Sequence, residues 1–262
     1  MSRFTTFYGM GDPHGMRAQF EALCRWIEDD ARARARDAHV INTGDLIDRG
    51  DDSRWIVDFV RREAANRFAG WTQLRGNHEE AMAFCMASFG TPDSIKWLYQ
   101  QTQECLKSYG IDIGVASGRR EPVGPEVEGL AALRDDAQWM GQLPLQAVVG
   151  DNIFCHAGIE LRKHPEKQDP AVILWGDDTF RKRLTDDPAI LHPAFGQARI
   201  VHGHYPIHAG PEIFRHRINL DTAACFKGPL TCVAFDGPGA PLRIAQARIG
   251  RNGATIATRT IK

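Results

Sequence analysis

Gly44-Asp45-Leu46-Ile47-Asp48-Arg49-Gly50 decides how this chain is read. It follows the apolar run Val40-Ile41 and sets two carboxylates and a guanidinium between two glycines. That is the pattern of a buried strand ending in a charged loop. Burying so much charge is costly unless a cation or an anion uses it. Matching clusters stand on either side. A strand predicted from Phe4 to Met10 ends in Gly11-Asp12-Pro13-His14-Gly15, and one from Trp71 to Leu74 ends in Arg75-Gly76-Asn77-His78-Glu79.

Between these clusters the apolar residues fall at helical spacing. One helix is predicted over 16–36, with Phe20, Leu23, Trp26 and Ile27 on a face, and a second over 51–69, with Trp55, Ile56, Phe59 and Val60 inward. A third runs from the Asn77 cluster to about Phe89. Asp12, Asp45 and Asn77 are 33 and 32 residues apart, the length of one strand–loop–helix unit. Strands joined this way are parallel with right-handed crossovers, and their loops gather at the carboxyl edge of the sheet. Three distant polar clusters are thereby expected in one place. The arginines at 32, 34 and 36 read as a solvated face, with Glu28 four residues before Arg32.

Residues 91–141 look mainly helical, with a Gly- and Pro-rich loop over 114–129, and are expected to form a cap-like region of a single domain spanning 1–262. Beyond it, Leu145–Val149 and Asn152–Cys155 read as a hairpin ending at His156-Ala157-Gly158. Ala198 to Val201 ends at His202-Gly203-His204, and Arg217 to Leu220 ends at Asp221. Leu230 to Phe235 and the last segment read as antiparallel strands.

The bulk numbers exclude several classes of function. With 262 residues and a net charge of −1, no overall field draws nucleic acid or an anionic membrane. No apolar run approaches the ~20 residues of a membrane span, and Met1-Ser2-Arg3-Phe4 does not resemble the start of a secretion signal. The six cysteines are scattered without a CxxC pair, as in a reduced, cytoplasmic protein. No nucleic-acid or membrane partner is expected.

The clusters together offer Asp12, His14, Asp45, Asn77, His156 and His204. These oxygen and imidazole donors suit manganese, iron or zinc better than calcium. Six are too many for one closed zinc site, and suit two ions sharing a carboxylate. Singly, each residue also reads as a turn, a helix cap or a satisfied core histidine.

GDPHG, GDLIDRG, RGNHEE, HAG and HGHYP, in this order, resemble the blocks of the metal-dependent phosphoprotein phosphatases, the family that includes calcineurin. The short bacterial and phage serine/threonine phosphatases are most similar. The resemblance implies an α/β fold, the calcineurin-like metallophosphoesterase sandwich of two mixed sheets flanked by helices. It implies two divalent metal ions, manganese first, with iron or zinc as alternatives. Asp12 and His14 would hold one ion, Asp45 would bridge, and Asn77, His156 and His204 would hold the other. A hydroxide held between the ions would attack phosphorus directly. His78 would protonate the leaving oxygen, oriented by Asp48, and Arg49 would bind phosphate.

The implied activity is phosphate monoester hydrolysis, first on phosphoserine and phosphothreonine proteins. The alternative is a symmetrical diadenosine tetraphosphate hydrolase or other small-molecule phosphoesterase, with Trp97, Tyr99 and Trp139 available to stack a base. A metal-binding scaffold without catalysis is the reading from another class. His202 is expected to be structural and Asp221 a turn or supporting residue. Three departures stand out. Asp177 occupies the position, two after Trp175, where the short bacterial members carry a phosphate-gripping arginine, so Arg181 or Arg183 would have to reach the site instead. Pro13 stiffens the first block. Ala223 replaces a usual glycine after Asp221-Thr222, so a backbone position of unusual φ is expected to be lost.

Overall fold

The computed structural model describes residues 5–185, 188–237, 242–251 and 253–261. The expectation placed on Met1 to Phe4 lies outside the described residues. Two sheets face each other. In the first, β1 (Thr5–Met10), β2 (Asp37–Asn42) and β3 (Gly70–Gln73) run parallel. β9 (Leu230–Phe235) pairs antiparallel with β1 and leads into the hairpin of β10 (Leu242–Gly250) and β11 (Gly253–Ile261), giving the order β11-β10-β9-β1-β2-β3. The second sheet has the order β4-β5-β6-β8-β7, from β4 (Gln146–Val149), β5 (Asn152–Cys155), β6 (Arg199–His202), β7 (Glu212–Ile213) and β8 (Arg217–Asn219). Its central strands β5, β6 and β8 are parallel, and β4 and β7 are antiparallel edges.

Alternation along each strand separates the layers. Ile41, Leu74, Phe154, Val201, Ile218, Leu220, Val233 and Phe235 close the space between the sheets. Tyr8, Met10 and Val40 face the other way, toward α1 (Arg17–Ala33), whose Phe20, Leu23 and Ile27 are buried with them. The same apolar core takes in α2 (Ser53–Asp58), α3 (Ala64–Arg67), α4 (Asn77–Ala87), α5 (Pro92–Gln101), α6 (Gln103–Ser108), α7 (Ile113–Ala116) and α8 (Pro125–Met140). On the outer side of the second sheet, α9 (Pro170–Trp175) and α10 (Asp178–Arg183) bury Ile173 and Phe180 against Ile200. The result is the sandwich of two mixed sheets flanked by helices that the motif resemblance implied.

Four local details differ from the sequence reading. The helix expected over 51–69 is α2 and α3 joined by one π-helical turn, Phe59–Glu63, which keeps Phe59 and Val60 buried while Arg61 reaches Asp135 and Asp136. The stretch expected to be a loop over 114–129 contains α7 and the start of α8. Its prolines misled: Pro125 is the first residue of α8, where its missing N–H costs nothing. Arg32 pairs with Asp29 at 2.8 Å, whereas Glu28 is held by Arg67 at 2.7 Å. Finally, Ala223 keeps the left-handed conformation (φ 62°) despite its side chain, held there because its N–H donates to Asp221 Oδ1 at 2.9 Å and its carbonyl accepts from Gly228 N.

A left-handed alanine carries about 1–2 kcal/mol of strain, partly offset because glycine loses roughly 0.5–1 kcal/mol more backbone entropy on folding. Ala223→Gly is therefore expected to stabilise the protein by about 0.5–1 kcal/mol, raising Tm by roughly 1–3 °C in calorimetry. A lower Tm would show that the strain is relieved elsewhere.

Candidate metal centre

Six parallel strands, three from each sheet, end at the same edge of the sandwich. The loops following β1 and β2 are zipped together by backbone bonds: His14 N to Asp45 O, Gly15 N to Leu46 O, and Gly50 N to His14 O, each 2.9 Å. This pairing holds His14, Asp45, Asp48 and Arg49 at positive φ, a conformation non-glycine residues adopt only when their surroundings impose it. His204 shares it. Glycines stand where side chains would collide with the cluster. A Cβ on Gly76 would lie 2.1 Å from Asp45 Oδ1, and one on Gly203 would lie 1.9 Å from Asp12 Oδ1.

Asp12, His14, Asp45, Asn77, His78 and His156 are all buried at this edge, and His204 is largely so. Asp45 is the centre of the arrangement. Its Oδ2 lies 3.4 Å from His14 Nε2, and its Oδ1 lies 3.4 Å from His156 Nε2. Two groups able to hold a cation share it: His14, Asp45 and His78 on one side, and Asp45, His156 and His204 on the other. Asn77 Oδ1 is 2.8 Å from His156 Nε2 and 3.0 Å from His204 Nδ1, and joins the second group. Asp12 accepts from Thr43 Oγ1 at 3.0 Å and from the His204 amide at 2.7 Å, which ties the first loop to the last.

The ring tautomers follow from the partners, because a carbonyl only accepts. His14 Nδ1 donates to Ile47 O at 2.8 Å and His156 Nδ1 donates to Thr43 O at 3.0 Å, so both Nε2 atoms turn lone pairs toward Asp45. The His204 ring is bonded to the Trp175 carbonyl, which leaves Nδ1 as the lone pair. His156 Nε2, His204 Nδ1 and Asn77 Oδ1 thus present three lone pairs within 3.2 Å of one another. Such convergence is repulsive unless a cation sits among them. The charges agree. Burial, with Asp221 beside one and Glu79 and Asp12 beside the other, holds the Asp12 and Asp45 carboxyls well above their usual range. Burial drives His14 and His156 well below theirs, so no imidazolium supplies the missing positive charge. The donor set fits divalent cations.

The sequence profile of calcineurin-like phosphoesterases matches residues 5–233. The chain belongs to that family. It is a metal-dependent hydrolase of phosphoric esters. Among the relatives it resembles is the bis(5'-nucleosyl)-tetraphosphatase PrpE [asymmetrical] of Bacillus cereus (strain B4264), 36% identical over 253 residues, covering 86% of this chain and 89% of the relative. A crystal structure whose name proposes a diadenosine tetraphosphatase superposes with a TM-score of 0.58 at 17% identity, covering 99% of this chain and 97% of the other. A Saccharomyces cerevisiae protein serine/threonine phosphatase superposes with a TM-score of 0.50 at 15% identity, covering 100% and 81%.

Within this phosphoesterase, His78 Nδ1 lies 2.6 Å from Asp48 Oδ2, so the carboxylate accepts and the ring's far side faces the cluster. The imidazole is pushed down to about 3 by burial and then by the Arg49 charge. Burial raises the Asp48 carboxyl, opposed by Arg49 and by the Cys105 thiol from α6. Arg49 is exposed beside Phe226, its guanidinium 6.0 Å from that ring.

His202 is buried and structural in its contacts. Its Nδ1 donates to Gly203 O at 2.9 Å, and Nε2 accepts from the buried Arg217 at 3.3 Å. Asp221 makes a turn with Ala223 N and is pushed up to about 6 by burial. Asp177 turns its carboxylate onto Thr179 N at 2.7 Å, as the N-cap of α10. That bond explains how a carboxylate is tolerated there. Arg181, one turn on, lies over the Tyr205 ring at 5.0 Å, and that ring packs at 4.9 Å on His204.

Sequence reasoning missed Glu79. Fully buried, it accepts from Asp45 N (2.8 Å), Leu46 N (2.8 Å) and Gly76 N (2.9 Å), locking the second and third loops together. Its signal was the RGNHEE block, where a glutamate three residues after Gly76 reads only as a helix-start feature. Of the aromatics available for a base, Trp97 packs 5.6 Å from the His78 ring, whereas Trp139 packs against the core beneath Arg61. Tyr99 is half exposed, and its carbonyl accepts from Gln103 Nε2 at 2.8 Å. No helix is long and apolar enough to cross a membrane among the described residues.

Proposed function

We propose that this phosphoesterase hydrolyses dinucleoside tetraphosphates, holding two divalent ions, manganese first, between Asp12, His14, Asp45, Asn77, His156 and His204. The observation that carries the two-ion site is the shared Asp45 with neutral imidazole lone pairs on both sides. Divalent cations there supply Lewis acidity and make water a nucleophile near neutral pH. Arg49, the exposed cation at the rim, binds phosphate oxygens through its planar fork. His78 donates a proton to the leaving oxygen, and Asp48 fixes the ring for that transfer. Burial is the main cause that holds the His78 ring down, and a bound phosphate next to Arg49 offsets the lesser contribution, that of the Arg49 charge.

Support for the nucleotide comes from the B. cereus relative, and from Trp97 beside His78. The relative's name specifies asymmetrical cleavage, so we favour off-centre products, a nucleoside triphosphate and a monophosphate, over the symmetrical form weighed from the sequence. The GDLIDRG and RGNHEE blocks favour a second reading, a serine/threonine protein phosphatase. The test is hydrolysis by metal-stripped protein with manganese restored, read as nucleotide products from diadenosine tetraphosphate, as inorganic phosphate from a phosphothreonine and a phosphotyrosine peptide, and as p-nitrophenolate from p-nitrophenyl phosphate. Manganese-dependent turnover of the dinucleotide above both peptides is expected. Turnover of the peptides alone would move the function to protein dephosphorylation.

A further inference from the structure

Next to the cluster, on the side of His78, stands a wall of aromatic rings from three separate parts of the chain. Trp97 of α5 packs at 60° on His78, and Trp175 at the end of α9 packs at 89° on Trp97, with centroids 5.6 and 5.8 Å apart. Trp97 is partly buried against the core, whereas Trp175 is 45% exposed. The exposed Trp175 ring is continuous with Trp97, so the two present one aromatic surface beside the cluster. Trp175 is also held in place. Its carbonyl is bonded to the His204 ring, and the following Gly176 (φ 80°) is pressed so close to Tyr205 that a Cβ would lie 1.9 Å from the hydroxyl. Tyr205 in turn carries the Arg181 guanidinium. The wall therefore offers a fixed indole, a cation beyond it, and the Trp97 Nε1–H, which is buried with no acceptor among the described residues.

We propose that Trp175, braced by Trp97, is the stacking surface for a nucleobase of the dinucleotide on its leaving side, with Arg181 set to meet the phosphate chain. This rests on the nucleotide reading above. His78 marks the leaving oxygen, so the base attached to the departing group is the part of the substrate next to Trp97 and Trp175. A ring already fixed by its neighbours stacks a base without the entropy loss of ordering a mobile side chain.

The test is titration calorimetry of the manganese-loaded protein with two ligands: a methylene-bridged, non-hydrolysable analogue of diadenosine tetraphosphate, and inorganic tetraphosphate, which has no base. Trp175→Ala is expected to weaken the dinucleotide analogue about 5- to 150-fold, the range of one lost base stack. It should weaken tetraphosphate far less, and Trp175→Phe should restore most of the difference. Equal losses for both ligands would mean a structural role through His204 and would overturn the proposal, as would no loss for either. Wild-type turnover of diadenosine tetraphosphate, measured in parallel, separates the cases. If the wild type hydrolyses only phosphopeptides, the nucleotide reading itself has failed.

Discussion

Asp45→Asn is expected to lose the paired metal site. Reloaded with manganese and desalted, the variant should hold at most one ion per chain where the wild type holds two, and kcat should fall about a thousandfold or more. The reason is geometric. Among the described residues, Asp45 is the one carboxylate set between both imidazole groups, 3.4 Å from His14 Nε2 on one side and 3.4 Å from His156 Nε2 on the other. An amide keeps the volume but carries no charge, and its NH2 would donate to one of those lone pairs and occupy the place of the cation. Loss of Lewis-acid stabilisation costs several kcal/mol in the transition state, and each 1.4 kcal/mol is about tenfold in rate. Folding failure is separable. The Asp45 carboxyl is held up by burial and by Glu79 and Asp12, so its ionised form opposes folding at neutral pH. Metal-free Asp45→Asn should therefore be at least as heat-stable as metal-free wild type. Two retained ions with full activity would contradict the assignment of Asp45.

His78→Asn should separate catalysis from metal binding in the opposite sense. Both ions should remain, because His78 is committed at Nδ1 to Asp48, and the second group of donors does not include it. The kcat for a phosphothreonine peptide, whose alkoxide leaves poorly without a proton, should fall about 10²- to 10⁴-fold, the usual contribution of a positioned general acid. With p-nitrophenyl phosphate the loss should be much smaller, since p-nitrophenolate leaves without a proton at neutral pH. Equal losses on all substrates would argue that His78, which stands with His14 and Asp45, is a ligand and not an acid. Metal analysis of the same preparation decides between them.

Much of this site was legible in the chain. A strand ending in a run of charge has few stable uses, and the spacing of Asp12, Asp45 and Asn77 set one such strand end per βα unit. Parallel strands then bring their carboxyl ends together, whatever the rest of the fold does. HAG and HGH could be placed only because the motif order was recognised, since each is too short to carry meaning alone.

What the sequence could not show depended on contacts between distant segments. Glu79 looks like a helix-start residue, and becomes the clamp of two loops only when β2 and β3 lie side by side. Asp177 reads as a charge beside the phosphate, yet its carboxylate is turned onto Thr179 N of its own helix. Trp97 and Trp139 both follow helical spacing, and only packing puts the first on His78 and the second in the core.

The chain by itself determined the strand–loop–helix units and the inventory of donors, because periodicity and residue chemistry are local properties. Tertiary structure decided which lone pairs point where. Ring tautomers are set by the carbonyls of Ile47, Thr43 and Trp175, each contributed by a segment other than the histidine's own strand end.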